Sequence, residues 1–148
     1  THGPLQVIPS FEQRVDIDPS AKDFWGIPVL RLSGKPHPEN YKGATFIADK
    51  CELWLKEAGA IKTWKSIGVE PVAGGGGQHQ SGTCRMGNDP KTSVTDKLGR
   101  VHSTGNLFIA DGSLHVTNGG FNPVLTILAN GYRIGEYIAT EWRKGNRF

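Results

Sequence analysis

Asn106-Leu107-Phe108-Ile109-Ala110-Asp111-Gly112-Ser113 and, one loop later, Gly119-Gly120-Phe121-Asn122-Pro123-Val124-Leu125-Thr126-Ile127 decide the fold class. The first stretch is an apolar run of strand length, stopped by Asp-Gly-Ser turn chemistry. In the second, Asn122 is a strong N-cap and Pro123 suits the first helical position. Val124, Ile127, Leu128, Gly131, Ile134, Ile138 and Trp142 then recur at the helical period. That spacing predicts a long amphipathic helix with Gly131 as its point of close approach. A strand, a glycine-bearing loop and a helix N-terminus in succession present backbone N–H groups to a ligand.

Working back toward the N-terminus, the run Gly74–Gly77 divides the chain into segments 1–73 and 74–148. In the first, Arg14-Val15-Asp16-Ile17 alternates as a strand does, and Asp18-Pro19-Ser20 offers a turn. Ile27 to Leu32 is a second extended run, with Pro28 at its start or on an edge. His37-Pro38 reads as a chain break. From about residue 40 to Ala58, the residues Ile47, Cys51, Trp54, Leu55 and Ala58 fall on one helical face, and Gly59 closes it. Cys51 is expected in a core, and Ile61 to Trp64 as a further short strand. The fold class is therefore α/β with α+β character.

Composition sets the outer bounds. The chain has 148 residues, with 17 Lys and Arg against 14 Asp and Glu, a formal charge of +3. It is long enough to bury a core, and its 36% hydrophobic and 21% charged residues do not describe a disordered chain. The cations are dispersed, without the basic and aromatic stripe of a nucleic-acid surface. Arg143, Lys144 and Arg147 suit the negative end of a helix dipole. No apolar run approaches the roughly 20 residues of a membrane-spanning helix. Two cysteines, Cys51 and Cys84, cannot build a disulfide framework. A first residue Thr1 suggests a piece of something longer.

Five histidines are available: His2, His37, His79, His102 and His115. His79 follows the glycine run, off any core face, where a neutral imidazole can take a proton near pH 7. It can equally be a surface-loop histidine. Capping alone accounts for Asn122, and turn chemistry alone for Asp111. A zinc site from His79, Cys84, His102 and His115 fits no recognised ligand spacing. Ser81 lacks the Gly-x-Ser-x-Gly elbow of a hydrolase, and Cys84 reads more simply as a small buried thiol than as a nucleophile. The glycine run is not a dinucleotide fingerprint, because His79 stands where the last glycine belongs.

Taken together and in order, His79-Gln-Ser-Gly-Thr-Cys-Arg-Met-Gly87, Asn88-Asp89-Pro90, Ser93-Val94-Thr95-Asp96, Arg100-Val101-His102 and the two opening stretches resemble one known pattern. It is that of the C-terminal region of bacterial glucose–methanol–choline (GMC) oxidoreductases, FAD enzymes that oxidise alcohols and sugars. The hairpin from Arg14 to Pro28 resembles the stretch just upstream in that family. The resemblance implies a catalytic base at His79, in His-x-x-Gly-Thr, and a second active-site group at Asn122. It also implies cofactor contacts at Asp111, Gly112, Asn122 and Pro123, hydride passing to flavin N5, and no metal.

Residues 1–73 would then belong to the substrate-binding domain. Residues 74–148 would be the catalytic loop with the strand and helix that complete the FAD domain. The family's N-terminal dinucleotide fingerprint has no counterpart here, and its members run on the order of 500 residues or more. The resemblance thus implies a partner: the missing N-terminal FAD-binding part, or a second copy of the chain. The isolated chain is expected to be inactive and to bind FAD weakly or not at all. A small alcohol or sugar would be the substrate, and neither nucleic acid nor a membrane span is expected. The alternative is a non-catalytic, oligomerising or interaction module built on the same architecture.

Overall fold

The computed structural model describes residues 1, 3–67 and 79–148, and the glycine run Gly74–Gly77 lies outside them. The chain is an α+β protein with two strands and two long helices among the described residues. It forms two compact units, Thr1–Gly76 and Gly77–Phe148. No helix among the described residues is long and apolar enough to cross a membrane.

The first unit opens with an antiparallel hairpin, β1 (Arg14–Lys22) and β2 (Pro28–Ser33). Arg14 pairs with Ser33, Val15 with Leu32, Asp16 with Arg31 and Ile17 with Leu30. Period-two alternation therefore gives the ribbon two unlike faces. Asp16 lies between Arg14 and Arg31 on one, at 3.1 and 3.7 Å. Val15, Ile17, Leu30 and Leu32 line the other, and Ile17 and Leu30 are 64% and 71% exposed.

The turn is not where the sequence placed it. Asp18-Pro19-Ser20 stays within β1 as an irregularity in the ladder. The chain reverses instead at Asp23, whose carboxylate accepts from the N–H groups of Trp25 and Ile27, each at 2.9 Å. Gly26 follows at φ +81°. Asp18-Pro19 supplies an acceptor but no residue suited to that left-handed step.

Helix α1 (Pro38–Glu57) starts at the residue expected to break the chain. Pro38 occupies the first turn, where its missing N–H costs nothing, and His37 is the N-cap through Nδ1, which accepts from the N–H of Glu39 at 3.2 Å. At the other end, Gly59 donates to the Lys56 carbonyl and Ala60 to that of Leu55, a Schellman closure. The expected apolar face is only partly covered: Ile47, Cys51 and Leu55 are half-buried, Trp54 and Ala58 exposed. Cys51 is thus at the margin of the packing rather than in a core. Asn40 is the buried residue of α1, and its Oδ1 accepts from the N–H of Ile8 at 3.0 Å. The extended segment before β1 lies along this helix, with Leu5 against Gly43 and Gly3 against Ile47. Residues Ile61 to Trp64 form no strand.

The second unit is built around helix α2 (Val124–Arg143). The helix forms where the apolar period predicts it, with Ile127, Gly131, Ile134 and Ile138 covered and Val124, Leu128 and Trp142 exposed. It packs on loops rather than on a sheet. The expected strand at 106–110 is reduced to a single bridge between Phe108 and Arg100, flanked by hydrogen bonds from Val101 to Leu107 and from Ile109 to Gly99. Its neighbour 99–101 is too short to extend the ladder. The stretch 108–112 runs antiparallel along α2, placing Gly112 at Ile127, Ala110 at Gly131 and Phe108 at Tyr137. Leu114 and Ile134 are the buried hydrophobic residues. Thr95, fully enclosed, bridges to both Met86 and Val101.

Gly99 shows why the loops are glycine-rich. Its φ is +74°, and a Cβ there would stand 2.4 Å from the Ile109 carbonyl and 2.6 Å from Cδ1 of Ile134. Asp96 sets up that turn by accepting from the N–H groups of Leu98 and Arg100.

Candidate active site

The His79 loop folds against the turn that ends the apolar run. Residues 112–114 form one turn of 3-10 helix capped by Asp111, whose Oδ1 accepts from the Ser113 N–H at 2.8 Å and its hydroxyl at 2.5 Å. Beside that turn runs the segment from His79 to Met86. Cys84 donates to the Ser113 carbonyl and Met86 to that of Leu114, both at 3.0 Å. The Gln80 carbonyl lies over Gly112, 3.6 Å from where a Cβ would stand. The His79 carbonyl accepts from Nδ2 of Asn118 at 3.0 Å.

The spacing His79-x-x-Gly82 has a steric cause. Gly82 has φ +88°, and a Cβ there would meet the His115 carbonyl at 3.2 Å. Glycine lets the loop turn tightly onto residues 113–115 and leaves His79 at its rim. The His79 imidazole is exposed.

Asn122 and Pro123 stand at the entry to α2, with Asn122 exposed and Pro123 buried. Here the structure corrects the sequence. Pro123 itself is the N-cap, and no side chain caps the helix. The Asn122 amide is thereby released from the capping duty that explained it. The first turn of α2 also carries no acidic residue. Its leading N–H groups keep their partial positive charge for an electron-rich neighbour.

Asp111, by contrast, performs the turn role read from sequence. The Ser113 hydroxyl and N–H together hold its carboxyl below the ordinary range, against the opposing effect of burial. It stays anionic at neutral pH. Its second oxygen suits a hydroxyl donor better than a phosphate, which like charge repels.

The structure thus brings the backbone of His79–Gln80, the Asp111–Gly112 turn and Asn118 together, while Asn122 and Pro123 follow at the mouth of α2. Two members of this arrangement escaped the sequence reading. Asn118, just before Gly119-Gly120, drew no reading from sequence. His115 was weighed only as a zinc ligand, yet it is 9% exposed, and its Nε2 is enclosed with no partner among the described residues. His102 is occupied elsewhere, its Nε2 2.9 Å from the Ser93 hydroxyl, which donates to the Asp89 carbonyl. No group of three His, Cys, Asp or Glu residues gathers among the described residues, and both cysteines are free thiols.

A tight loop carrying an exposed imidazole thus lies beside a capped turn, with an uncapped helix start a few residues further along the chain. Comparison with known proteins gives the family. Residues 12–131 match the C-terminal family model described as GMC oxidoreductase, and the chain belongs to that family, whose members are flavoproteins.

It is 38% identical over 125 residues to 2-methyl-1,2-propanediol dehydrogenase of Mycolicibacterium austroafricanum, covering 84% of this chain and 22% of that protein. With paromamine 6'-oxidase of Streptomyces fradiae it shares 37% identity, covering 88% of this chain and 24% of the relative. The fructose dehydrogenase large subunit of Gluconobacter japonicus is 27% identical, with 95% and 25% covered. The chain spans about a quarter of the length of these relatives.

The residues present fit a flavin. A Cβ on Gly112 would stand 3.1 Å from Cδ1 of Ile127, so glycine there lets the turn pack closely on α2. The enclosed Nε2 of His115 and the uncapped N–H groups of α2 supply polar contacts that the protein leaves unused.

Proposed function

We propose that this chain supplies the C-terminal part of the active site of a flavin-dependent oxidoreductase that converts a CH–OH group of an alcohol or sugar to a carbonyl. The observation that carries the reading is the placement of the His79 loop on the Asp111–Gly112 turn and the Asn118 amide. The named relatives act on 2-methyl-1,2-propanediol, paromamine and fructose, which supports the substrate class.

His79 is the base: its neutral imidazole takes the hydroxyl proton as the C–H bond breaks, for about 10²–10⁴-fold in rate. Asn122, free of capping, holds the substrate oxygen and fixes its orientation. Asp111 would accept from a cofactor hydroxyl beside the Gly112 turn. The N–H groups that follow Pro123 would offer partial positive charge to the electron-rich part of the cofactor ring. Bound FAD supplies the hydride acceptor at N5. The N-terminal part of the enzyme supplies the dinucleotide grip, so residues 1–73 and 74–148 act as the substrate-side and cofactor-side portions only with that partner.

In the complete protein, His79→Ala is expected to lower kcat by about 10²–10⁴-fold with flavin still bound. A variant that turns over at near wild-type rate removes the assigned base. A second reading, a self-associating module without catalysis, draws on the exposed apolar face of the β1–β2 hairpin.

A further inference from the structure

We propose that His115 is a cofactor-contacting residue, its Nε2–H donating to an oxygen of the flavin's ribityl–phosphate arm or to a buried water that links the two. The inference rests on the flavin reading and goes beyond the residues assigned to it.

His115 is nine-tenths buried and its Nε2 is enclosed with no partner among the described residues. A ring nitrogen taken out of water without a partner loses its hydration for nothing, and buried polar groups in proteins are nearly always paired. An apolar side chain would avoid that loss, and both neighbours, Leu114 and Val116, are apolar. The fold does not need the imidazole. The main chain of His115 is already engaged, its N–H donating to the Gly112 carbonyl at 3.2 Å and its own carbonyl packed against Gly82. Asn40, which also has an enclosed and unpartnered amide nitrogen, differs in that its Oδ1 anchors the N–H of Ile8.

Location supplies the ligand. His115 directly follows the 3-10 turn capped by Asp111, and its carbonyl abuts the glycine of the His79 loop. It stands where the base-bearing loop and the cofactor turn meet. The chemistry that satisfies Nε2–H is an oxygen acceptor, and the oxygen-rich part of FAD is its ribityl and phosphate arm.

The test uses the complete protein, stripped of flavin, with His115→Phe, which keeps a planar ring and removes both nitrogens. Two quantities are measured: the flavin Kd by fluorescence titration, and the Tm of the flavin-free protein. A Kd raised about tenfold with unchanged Tm assigns the acceptor to the cofactor. A lowered Tm with a raised Kd leaves the decision to the ring ¹⁵N shifts of wild-type His115 on adding flavin, and a lowered Tm with an unchanged Kd overturns the proposal, because repacking a buried ring lowers Tm without any flavin contact. A Kd unchanged together with a Tm equal to or above wild type overturns the proposal. Should His115→Phe fail to fold, the ring ¹⁵N shifts of wild-type His115 decide: a shift on adding flavin supports the contact, and no shift with flavin bound overturns it. Wild-type protein that takes up no flavin overturns the flavin reading itself, and is told apart from a failed contact because it is read on the unsubstituted chain.

Discussion

Asp18 shows how much one exposed carboxylate can be shaped by its own backbone. The N–H groups of Ser20 and Ala21 and the Ser20 hydroxyl all point at it, with Arg31 adding a smaller attraction, and its pKa falls to about 2. A depressed folded value means the contribution is complete above the unfolded value of about 3.9 and is lost as pH falls through about 2. A ¹³C carboxyl titration is expected to place Asp18 near 2, and a midpoint near 4 would remove the turn-like cage around it. Gly99 makes a steric prediction instead. Gly99→Ala forces a side chain into a left-handed step against a carbonyl and Ile134, and about 2–4 kcal/mol of stability should be lost in chemical denaturation. Sequence showed none of this at Gly99, because close approach of distant backbone leaves no local pattern. It did show the turn at Asp111, where residue type alone supplies the acceptor, whereas His79 stands out only through the family resemblance.

At the scale of elements, periodicity was legible and termini were not. α2 follows its apolar spacing through Ile127, Gly131, Ile134 and Ile138, the face that packs on 108–112, while Val124, Leu128 and Trp142 of the expected face stay exposed. The hairpin strands were readable from alternation, yet the turn went to Asp18-Pro19 when Asp23 and Gly26 made the better reversal. The strand at 106–110 failed because an apolar run becomes a strand only with a partner, and its partner here is a single bridge. At both helix starts proline was the point of error: Pro38 begins α1 rather than breaking the chain, and Pro123 takes the cap expected of Asn122. The α1 cap also invites a test. His37 caps with a ring nitrogen at 3.2 Å, a weaker acceptor than a carboxylate. His37→Asp should stabilise the first unit by about 0.5–1 kcal/mol, measured by thermal unfolding, with added benefit from the helix dipole. A loss of stability would mean the imidazole has a second role.

For the molecule as a whole, apolar surface is the dominant fact. Val15, Ile17, Leu30 and Leu32 form an uncovered face on the hairpin, and on α2 the side chains of Leu125, Leu128, Tyr132 and Trp142 are all exposed. Continuous apolar surface of this kind marks interfaces in soluble proteins. The 148-residue chain alone is therefore expected to self-associate in size-exclusion chromatography with light scattering, and to carry no stoichiometric flavin. Replacing Ile17 and Leu30 together by Lys should shift it toward monomer. A wild-type chain that is monomeric at high concentration would set this expectation aside, together with the self-associating alternative.

The segment ahead of β1 carries a consequence of a different kind. Gly43 on α1 leaves a notch that Leu5 fills, and Gly3 on the segment leaves one that Ile47 fills; a Cβ at either glycine would collide at 2.8 or 2.0 Å. The two surfaces thus exchange one knob and one notch each. Sliding the segment by a single residue would bring a side chain onto each notch's rim and leave both knobs unseated. Alignment is encoded in volume as well as in the hydrogen bond from Ile8 to Asn40, as the teeth of a key encode its depth in a lock.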